Sequence, residues 1–337
     1  MAKKNYSFIS DHLYSQIKNS LNSKKSVFLF VNKKGQSSAT ICRDCNYAFN
    51  CPHCQLPLIK NEQNQFICYT CNYSEEVPPF CPRCSGPNLR SSGIGIQKIE
   101  AALKKLLPKA NVVRLDKDIN NQSPVSQTGK IEPKQSINHQ PAKLKKLSQN
   151  KASIIIGTAF ALDKIAWPQI DLLGIINADQ LWQHIEFMAN ETAYQLMIKL
   201  LTLAPKNAKF IIQTFSPEHH LLKSIIKNNP AIFYEKELKF RKQFNYPPFV
   251  YLIKLSCLNK SELKTKKQAQ KIYRLLKKTI ANKNSIYPPL PILRKKIRGK
   301  YKYNLILKIN KIDDFGHLTK FVPNNWLIDI QARTLLD

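Results

Sequence analysis

Eight of the nine cysteines fall into four C-x-x-C pairs between residues 42 and 84: Cys42/Cys45, Cys51/Cys54, Cys68/Cys71 and Cys81/Cys84. A C-x-x-C turn sets two thiolates on one side of a tight loop, which is half of a tetrahedral zinc shell. The prolines of Cys51-Pro-His-Cys54 and Cys81-Pro-Arg-Cys84 help to pre-set such turns. One pair alone could be a redox motif, but four in a chain read as cytosolic point to metal rather than disulfide. Two four-cysteine sites holding two structural zinc ions are therefore expected. Thiolate fills all four positions of each shell and leaves none for water, and the module is expected to need its metal to fold.

Spacing constrains the pairing without closing it, because four half-shells combine in three ways. Five residues separate the first two pairs, which is short for a zinc ribbon, whereas thirteen separate Cys54 from Cys68. That longer piece, QLPLIKNEQNQFI, reads as a hairpin with a polar turn around residues 61–64. It favours an inner site of Cys51, Cys54, Cys68 and Cys71 and an outer site of Cys42, Cys45, Cys81 and Cys84, while a crossed arrangement also fits the spacing. His53 is read as a surface residue, since each site already has four thiolates. Cys257, alone in the apolar run YLIKLSCL, is read as a buried core thiol. The nearby aromatics Tyr47, Phe49, Phe66, Tyr69 and Tyr73 are expected to pack the small knuckles, with one or two available to a strand of nucleic acid.

The second chemistry is charge. The chain has 337 residues and a formal net charge of +31, with a pI near 9.8. Such a balance points to a polyanionic partner, although a composition rich in Lys, Asn and Ile accounts for part of it. Any single lysine reads as a solvated surface charge. The cluster RKKIRGKYKY is a better candidate, because basic and aromatic residues interleave around a glycine. Candidate phosphate contacts are Lys33, Lys34, Lys295, Lys296, Arg298, Lys300 and Lys302, with Tyr301 and Tyr303 available for base stacking.

These residues need elements to hold them. HLYSQIKNSL has helical spacing and SVFLFVN reads as a buried strand; after the cysteines come the helix IEAALKKLLP, the strands VVRLD, SIIIGT and IDLLGIINAD, the helix ETAYQLMIKLLTLA and the strand KFIIQTF. Alternating strands and helices indicate a parallel α/β sheet, with the cysteine module inserted between Gly35 and Gly93. Residues 117–150 are polar and nearly free of apolar periodicity, which predicts a flexible loop with a short helix around 141–147. From about Ser216, the strand FVYLIKLSCL, the basic helix LKTKKQAQKIYRLLKKTI and the strands KYNLILKI and NWLIDIQ suggest a small α+β domain. No internal repeat is apparent. No apolar run resembles a signal sequence or reaches the roughly 18–20 residues of a membrane span, so a soluble, cytoplasmic protein with no membrane partner is expected.

Taken in order, these pieces resemble the C-terminal half of the primosomal protein N′ (PriA replication-restart helicase) family. VFLFVNKKG resembles its strand ending in N-R-R-G, and the eight cysteines fit its zinc spacing. GIGIQKIEAAL resembles its G-x-G-T-E-x-x-E-x-x-L helix start, VVRLDKD its R-x-D-x-D, and SIIIGTAFALDKIAWPQIDLLGIINAD its I-L-I-G-T stretch. FNYPPFVYLIKL and PPLPILRKKIRGKYKYNLILKI resemble its C-terminal domain. The resemblance implies nested zinc sites and a single RecA-like helicase lobe over residues 1–40 and 86–215. It also implies a binuclear zinc module over 41–85 and a C-terminal domain over 216–337.

The departures from the family concern its motor. The nine glycines include no G-x-x-x-x-G-K-[ST], and no D-E-x-H occurs; the chain begins where the second lobe would. Where the family carries Q-V-x-G-R-A-G-R, this chain has QLMIKLLTLAPKN, and Lys199 cannot reproduce a bidentate guanidinium fork. The family's K-G appears as Asp163-Lys164-Ile165. The expectation is a zinc-stabilised scaffold that binds forked or single-stranded DNA, with primosome or single-strand-binding proteins as further partners and no ATP hydrolysis by this chain alone. Two alternatives stand beside it: the C-terminal half of a split ATP-dependent 3′–5′ DNA helicase, and a zinc-ribbon RNA-binding protein.

Overall fold

The computed structural model describes residues 8–32, 39–61, 63–91, 95–116, 152–280, 286–291 and 296–335. The stretch 117–150 and both expected junctions, Gly35 and Gly93, lie outside the described residues. The chain divides into two compact units. One comprises Met1–Lys34, Gly93–Gln180 and Gln195–Phe215, the other Gly35–Ser92, Leu181–Tyr194 and Ser216–Asp337.

Helix α1 (Asp11–Asn22) starts where the Ser10 hydroxyl accepts the Leu13 N–H, with Asp11 in the first turn, as a helix N-terminus favours. Strand β1 (Ser26–Val31) follows, with five successive buried residues. The cysteine-rich segment then forms β2 (Thr40–Cys42), β3 (Ile59–Lys60), β4 (Gln65–Ile67), β5 (Ser74–Glu76) and β6 (Leu89–Ser91). Next come α2 (Ile96–Leu106), β7 (Asn111–Leu115), β8 (Ser153–Gly157), β9 (Ile170–Ile176), α3 (Asp179–Trp182), α4 (Ala189–Leu203) and β10 (Lys209–Ile212). The rest of the chain holds α5 (His220–Ile226), α6 (Pro230–Gln243), β11 (Tyr251–Asn259), α7 (Glu262–Thr279), β12 (Leu290–Pro291), β13 (Tyr301–Ile309), α8 (Ile312–Thr319) and β14 (Leu327–Ile330).

In the first unit, β10-β9-β1-β8-β7 form a five-stranded sheet, parallel throughout. Runs such as SVFLFV and SIIIG are continuously apolar after their first serine because both faces of a parallel sheet are covered. Val27, Leu29 and Val31 face a core with Leu13 and Ile17 of α1 and Ile99 and Leu103 of α2, while the Phe28 ring meets Trp167 edge-on at 5.4 Å. A polar clasp ties α1 to β9: the buried Ser20 hydroxyl donates to Asp171 at 2.7 Å, and Lys25 Nζ lies 3.0 Å from the same carboxylate. Those two contacts, the Ser20 hydroxyl foremost, hold the Asp171 carboxyl below its usual range. A carboxyl lowered on folding stabilises the protein above the unfolded carboxylate range and loses that contribution as pH falls through the folded value. Ser20→Ala is therefore expected to cost about 1–2 kcal/mol at neutral pH, with the deficit fading in acid. Urea midpoints at neutral and acid pH would check this.

In the second unit, β12-β13-β11-β14 form an antiparallel sheet. One face, with Ile253, Leu255 and Cys257 of β11 and Tyr303, Leu305 and Leu307 of β13, packs against Ala269, Ile272 and Leu276 of α7 and Phe315 of α8. The Cys257 thiol touches Gln268 Oε1 at 3.3 Å and is pushed up to about 11 by burial, as suits a core thiol. The other face is buried too, although it carries Lys254, Ser256, Asn304 and Lys308. Each finds a partner, as burial of polar groups requires. Lys254 Nζ donates to the Thr334 carbonyl at 2.7 Å, Ser256 to Asn304 Oδ1 at 2.8 Å, and Asn304 Nδ2 to the Leu335 carbonyl at 3.0 Å. Lys308 Nζ donates to the Phe244 carbonyl at 2.7 Å and sits 3.8 Å from the Tyr246 ring centroid; burial pulls it down to about 8.

Candidate metal centres and nucleic-acid interface

Each of the four cysteine pairs is held by the same backbone ring. The N–H of the first cysteine donates to a carbonyl five residues on: Cys42 to Tyr47 (2.9 Å), Cys51 to Leu56 (2.8 Å), Cys68 to Tyr73 (2.8 Å) and Cys81 to Gly86 (2.9 Å). The residue after the second cysteine returns its N–H to the first cysteine's carbonyl: Asn46 to Cys42 (2.8 Å), Gln55 to Cys51 (2.8 Å), Asn72 to Cys68 (3.0 Å) and Ser85 to Cys81 (2.8 Å). All four of those residues have positive φ, between 56° and 62°, a region that asparagine tolerates better than most side chains. A six-residue unit is thus repeated four times. Sequence reading found no repeat because only the cysteines are constant; the available signal was the Asn, Gln or Ser after each second cysteine.

The rings bring the sulfurs together in nested fashion. Cys42, Cys45, Cys81 and Cys84 form one group and Cys51, Cys54, Cys68 and Cys71 the other, each with all ligand atoms within 4.8 Å of one another. Cys42 and Cys84 sulfurs are 3.6 Å apart, Cys45 and Cys81 3.7 Å, Cys51 and Cys71 3.4 Å, Cys54 and Cys68 3.4 Å, and Cys54 and Cys71 4.0 Å. A tetrahedron with bonds of about 2.3 Å needs sulfurs about 3.8 Å apart, whereas a disulfide needs about 2.05 Å. The residues present fit a tetrahedral thiolate-bound ion. The thiols of each group lie close enough to compete for protons. Cys51 is pulled down to about 7, foremost by hydrogen bonds with Cys54 and Cys68. Cys54 and Cys68 are pushed up, foremost through Cys51. A bound cation would resolve this competition by favouring all four as thiolates.

The two shells differ in surroundings. In the inner group Cys51, Cys54 and Cys68 are buried, whereas in the outer group Cys84 is exposed and Cys45 half-buried. The inner knuckles rest on the meander β3-β4-β5, with Ile59 opposite Ile67 and Phe66 opposite Glu75. Asn61 closes the expected turn, its Oδ1 accepting the N–H groups of Gln63 at 3.0 Å and Gln65 at 2.8 Å. Phe49 and Phe66 are buried against the inner cysteines, with Tyr47, Tyr69 and Tyr73 partly buried around them. That same apolar cluster contains Tyr246, Leu252 of β11, Ile306 of β13 and Leu335, so the inner shell and the C-terminal sheet share a core. His53 is exposed, lies edge-on to Tyr73 at 5.0 Å and belongs to neither sulfur group. In the outer group, Asp44 receives the Asn88 amide at 2.8 Å and lies 3.8 Å from Cys42 Sγ.

The basic candidates are placed unequally. Lys33, Lys34 and Lys295 lie outside the described residues. Lys296, Arg298 and Lys300 are exposed around a tight turn in which Ile297 and Lys300 exchange backbone hydrogen bonds of 2.8 and 3.0 Å. Arg298 (φ 48°) and Gly299 (φ 78°) both have positive φ, the requirement of a type I′ hairpin turn, and glycine at the second position meets it without strain. Lys296 Nζ lies 4.8 Å from the Tyr301 ring centroid; Tyr301 and Lys302 are half-buried. Tyr303 is 6% exposed and packs in the sheet core. Its ring is not free to stack on a base, which corrects the sequence expectation: alternation sends 303 inward with 305 and 307. In the first unit, Lys199 lies 3.6 Å from Asp163, both side chains largely in solvent.

A five-stranded parallel sheet, paired four-cysteine shells and a basic antiparallel sheet define an α/β protein with a duplicated tetrathiolate metal-type module. The family model described as Primosomal protein N C-terminal domain matches residues 242–334, and the chain belongs to the PriA family, matching the C-terminal part of its members. Replication restart protein PriA of Bacillus subtilis is 27% identical over 336 residues, covering 98% of this chain and 40% of the relative. The protein of that name from Borreliella burgdorferi is 32% identical over 308 residues, covering 90% of this chain and 44% of the relative. The chain spans about two fifths of the length of these curated relatives.

Proposed function

We propose that the chain acts in replication restart as a zinc-stabilised DNA-binding scaffold. Two zinc ions fill the Cys42/Cys45/Cys81/Cys84 and Cys51/Cys54/Cys68/Cys71 shells and play a structural part. The observation that carries this reading is the sulfur spacing, 3.4–4.0 Å among the measured pairs, which suits tetrahedral zinc with no open position. Zinc would fix the thiolates and neutralise part of their charge; the chain's own residues do the rest. The exposed cations Lys296, Arg298 and Lys300 meet phosphates, and Tyr301, already paired with Lys296, offers the one accessible ring of the turn. Forked or single-stranded DNA is the expected partner, with primosome or single-strand-binding proteins meeting the same scaffold. ATP is not turned over by this chain alone. In support, the sequence holds no phosphate-cradling G-x-x-x-x-G-K-[ST], and Lys199 is engaged with Asp163 where the family resemblance expects arginines.

Purified protein is expected to carry about two zinc ions per chain and to bind forked and single-stranded DNA with steep salt dependence, with no DNA-stimulated ATP turnover. Tighter binding to structured RNA than to either DNA at matched salt would replace the DNA reading. One zinc or none would sink the two-shell assignment.

A further inference from the structure

We propose that the solvent-facing ridge of α7 is a second phosphate-binding surface, along which a nucleic-acid strand lies by its backbone. This rests on the nucleic-acid reading above and adds a site to it. Helix α7 buries Thr265, Ala269, Ile272 and Leu276, three of them against the C-terminal sheet. Lys267, Lys271, Arg274 and Lys278 are spaced by four, three and four residues, which places them on one side of a helix, opposite that buried stripe. All four are exposed. The side chains of these four, with Gln270 and Leu275, line a groove of about 330 Å³.

Glu262, in the first turn, is the one acidic residue of the helix. Among the described residues none of the four cations forms an ion pair. Like charges one turn apart on a helix repel, so the arrangement is held at a cost that a polyanion relieves. From Lys267 to Lys278 the helix rises about 16 Å, a length over which a duplex strand presents on the order of five phosphates.

Three observations favour a nucleic-acid backbone over other polyanions. The buried apolar residues of α7 are committed to the sheet, and the exposed Leu263 and Leu275 stand twelve residues apart, too few to make the apolar face that inserts into a lipid interface. Leu275 is the one apolar residue lining the groove, which leaves no pocket of the kind that anchors peptide side chains. The basic turn also lies at the end of the sheet where α7 starts. Tyr301 at the start of β13 pairs with Asn259 at the end of β11, and Ser261 caps α7 directly after. The turn holding Lys296, Arg298 and Lys300 therefore lies at the end of the sheet from which α7 departs.

The test uses the full metal-loaded chain. Lys267→Gln, Lys271→Gln, Arg274→Gln and Lys278→Gln are combined, and affinity for a 20-base-pair duplex and a 20-nucleotide single strand is followed from low to high salt. Neutralising four phosphate contacts should make the slope of log affinity against log salt shallower by about 3–4 for duplex and about 3 for single strand. Binding at low salt should weaken by about tenfold or more. The same charges restored as lysine, including Arg274→Lys, should bring the slope back. Circular dichroism should be unchanged, since all four side chains are in solvent. A slope and affinity equal to those of the unmodified chain overturn the ridge proposal while leaving the DNA reading intact. No binding by the unmodified chain at any salt overturns both. If neutralisation abolishes binding to anionic phospholipid vesicles or to a polyglutamate peptide but not to DNA, the surface is assigned to that partner and the proposal fails.

Discussion

Cys54→Ser is expected to unfold more than a zinc knuckle. Cys54 is 4% exposed and belongs to the apolar cluster that also holds Leu252, Ile306, Tyr246 and Leu335. Metal bound by four thiolates contributes its binding free energy to folding, on the order of 10 kcal/mol for small zinc modules. A serine leaves three sulfurs and a buried hydroxyl in their midst. Since domains are stable by only about 5–15 kcal/mol, loss of the inner ion should expose one whole face of the β11–β13 ladder. Hydrogen exchange should show those amides losing protection as metal content falls by about one ion per chain. The matching change at the exposed Cys84, Cys84→Ser, should release the outer ion and leave β11 and β13 protected. Full sheet protection in Cys54→Ser would show that the shared core holds without the inner metal.

The second large effect is expected at Arg241. The residue is 8% exposed, and its guanidinium reaches Glu191 at 2.6 Å and Glu237 at 2.9 Å. It also donates to the Pro247 carbonyl at 3.3 Å and lies over Phe187 at 5.5 Å. Removing one partner of a buried ionic network leaves uncompensated charge and costs about 3–5 kcal/mol. Arg241→Ala should fall in that range at neutral pH, and Arg241→Lys should recover little, because an ammonium cannot span both carboxylates with fixed geometry. The pH dependence has a definite sign. Burial raises the Glu237 carboxyl above its ordinary value, and Arg241 is the main influence opposing this. A carboxyl raised on folding destabilises when ionised, so the variant's deficit should be largest at neutral pH. It should shrink as pH falls towards the ordinary glutamate range and the carboxyl takes up a proton. Urea midpoints of variant and parent at the two pH values would show it; an equal deficit at both would remove Glu237 from the explanation.

How much of this could be read beforehand depended on whether the cause was local. The parallel sheet was legible because β1 and β8 are continuously apolar after their first serine, and the β3–β4 hairpin because its turn residues carry their own backbone hydrogen bonds. The cysteine spacing announced two metal-type shells and the hairpin leaned towards nesting. What stayed hidden has tertiary causes. Lys254, Ser256, Asn304 and Lys308 alternate with apolar residues as a solvent-facing set would, yet the Thr334, Leu335 and Phe244 carbonyls that satisfy them come from elsewhere in the chain. Tyr303 looked available because it stands among lysines, but register puts it opposite Cys257. Helices α5 and α6 were not foreseen. In α6 the buried Phe233, Glu237 and Arg241 include two charged residues, so the buried stripe does not read as apolar.

The nested knuckles also imply an order of assembly. Each half-shell is shaped by its own backbone ring, so an incoming ion has mainly to join two halves. Cys54 and Cys68 are 14 residues apart and Cys45 and Cys81 are 36 apart. The larger loop costs about 0.8 kcal/mol more in chain entropy to close from the open state, and closing the smaller one first shortens the larger. Loading with metal would thus run from the centre outward, with the ion next to the C-terminal sheet the first to arrive.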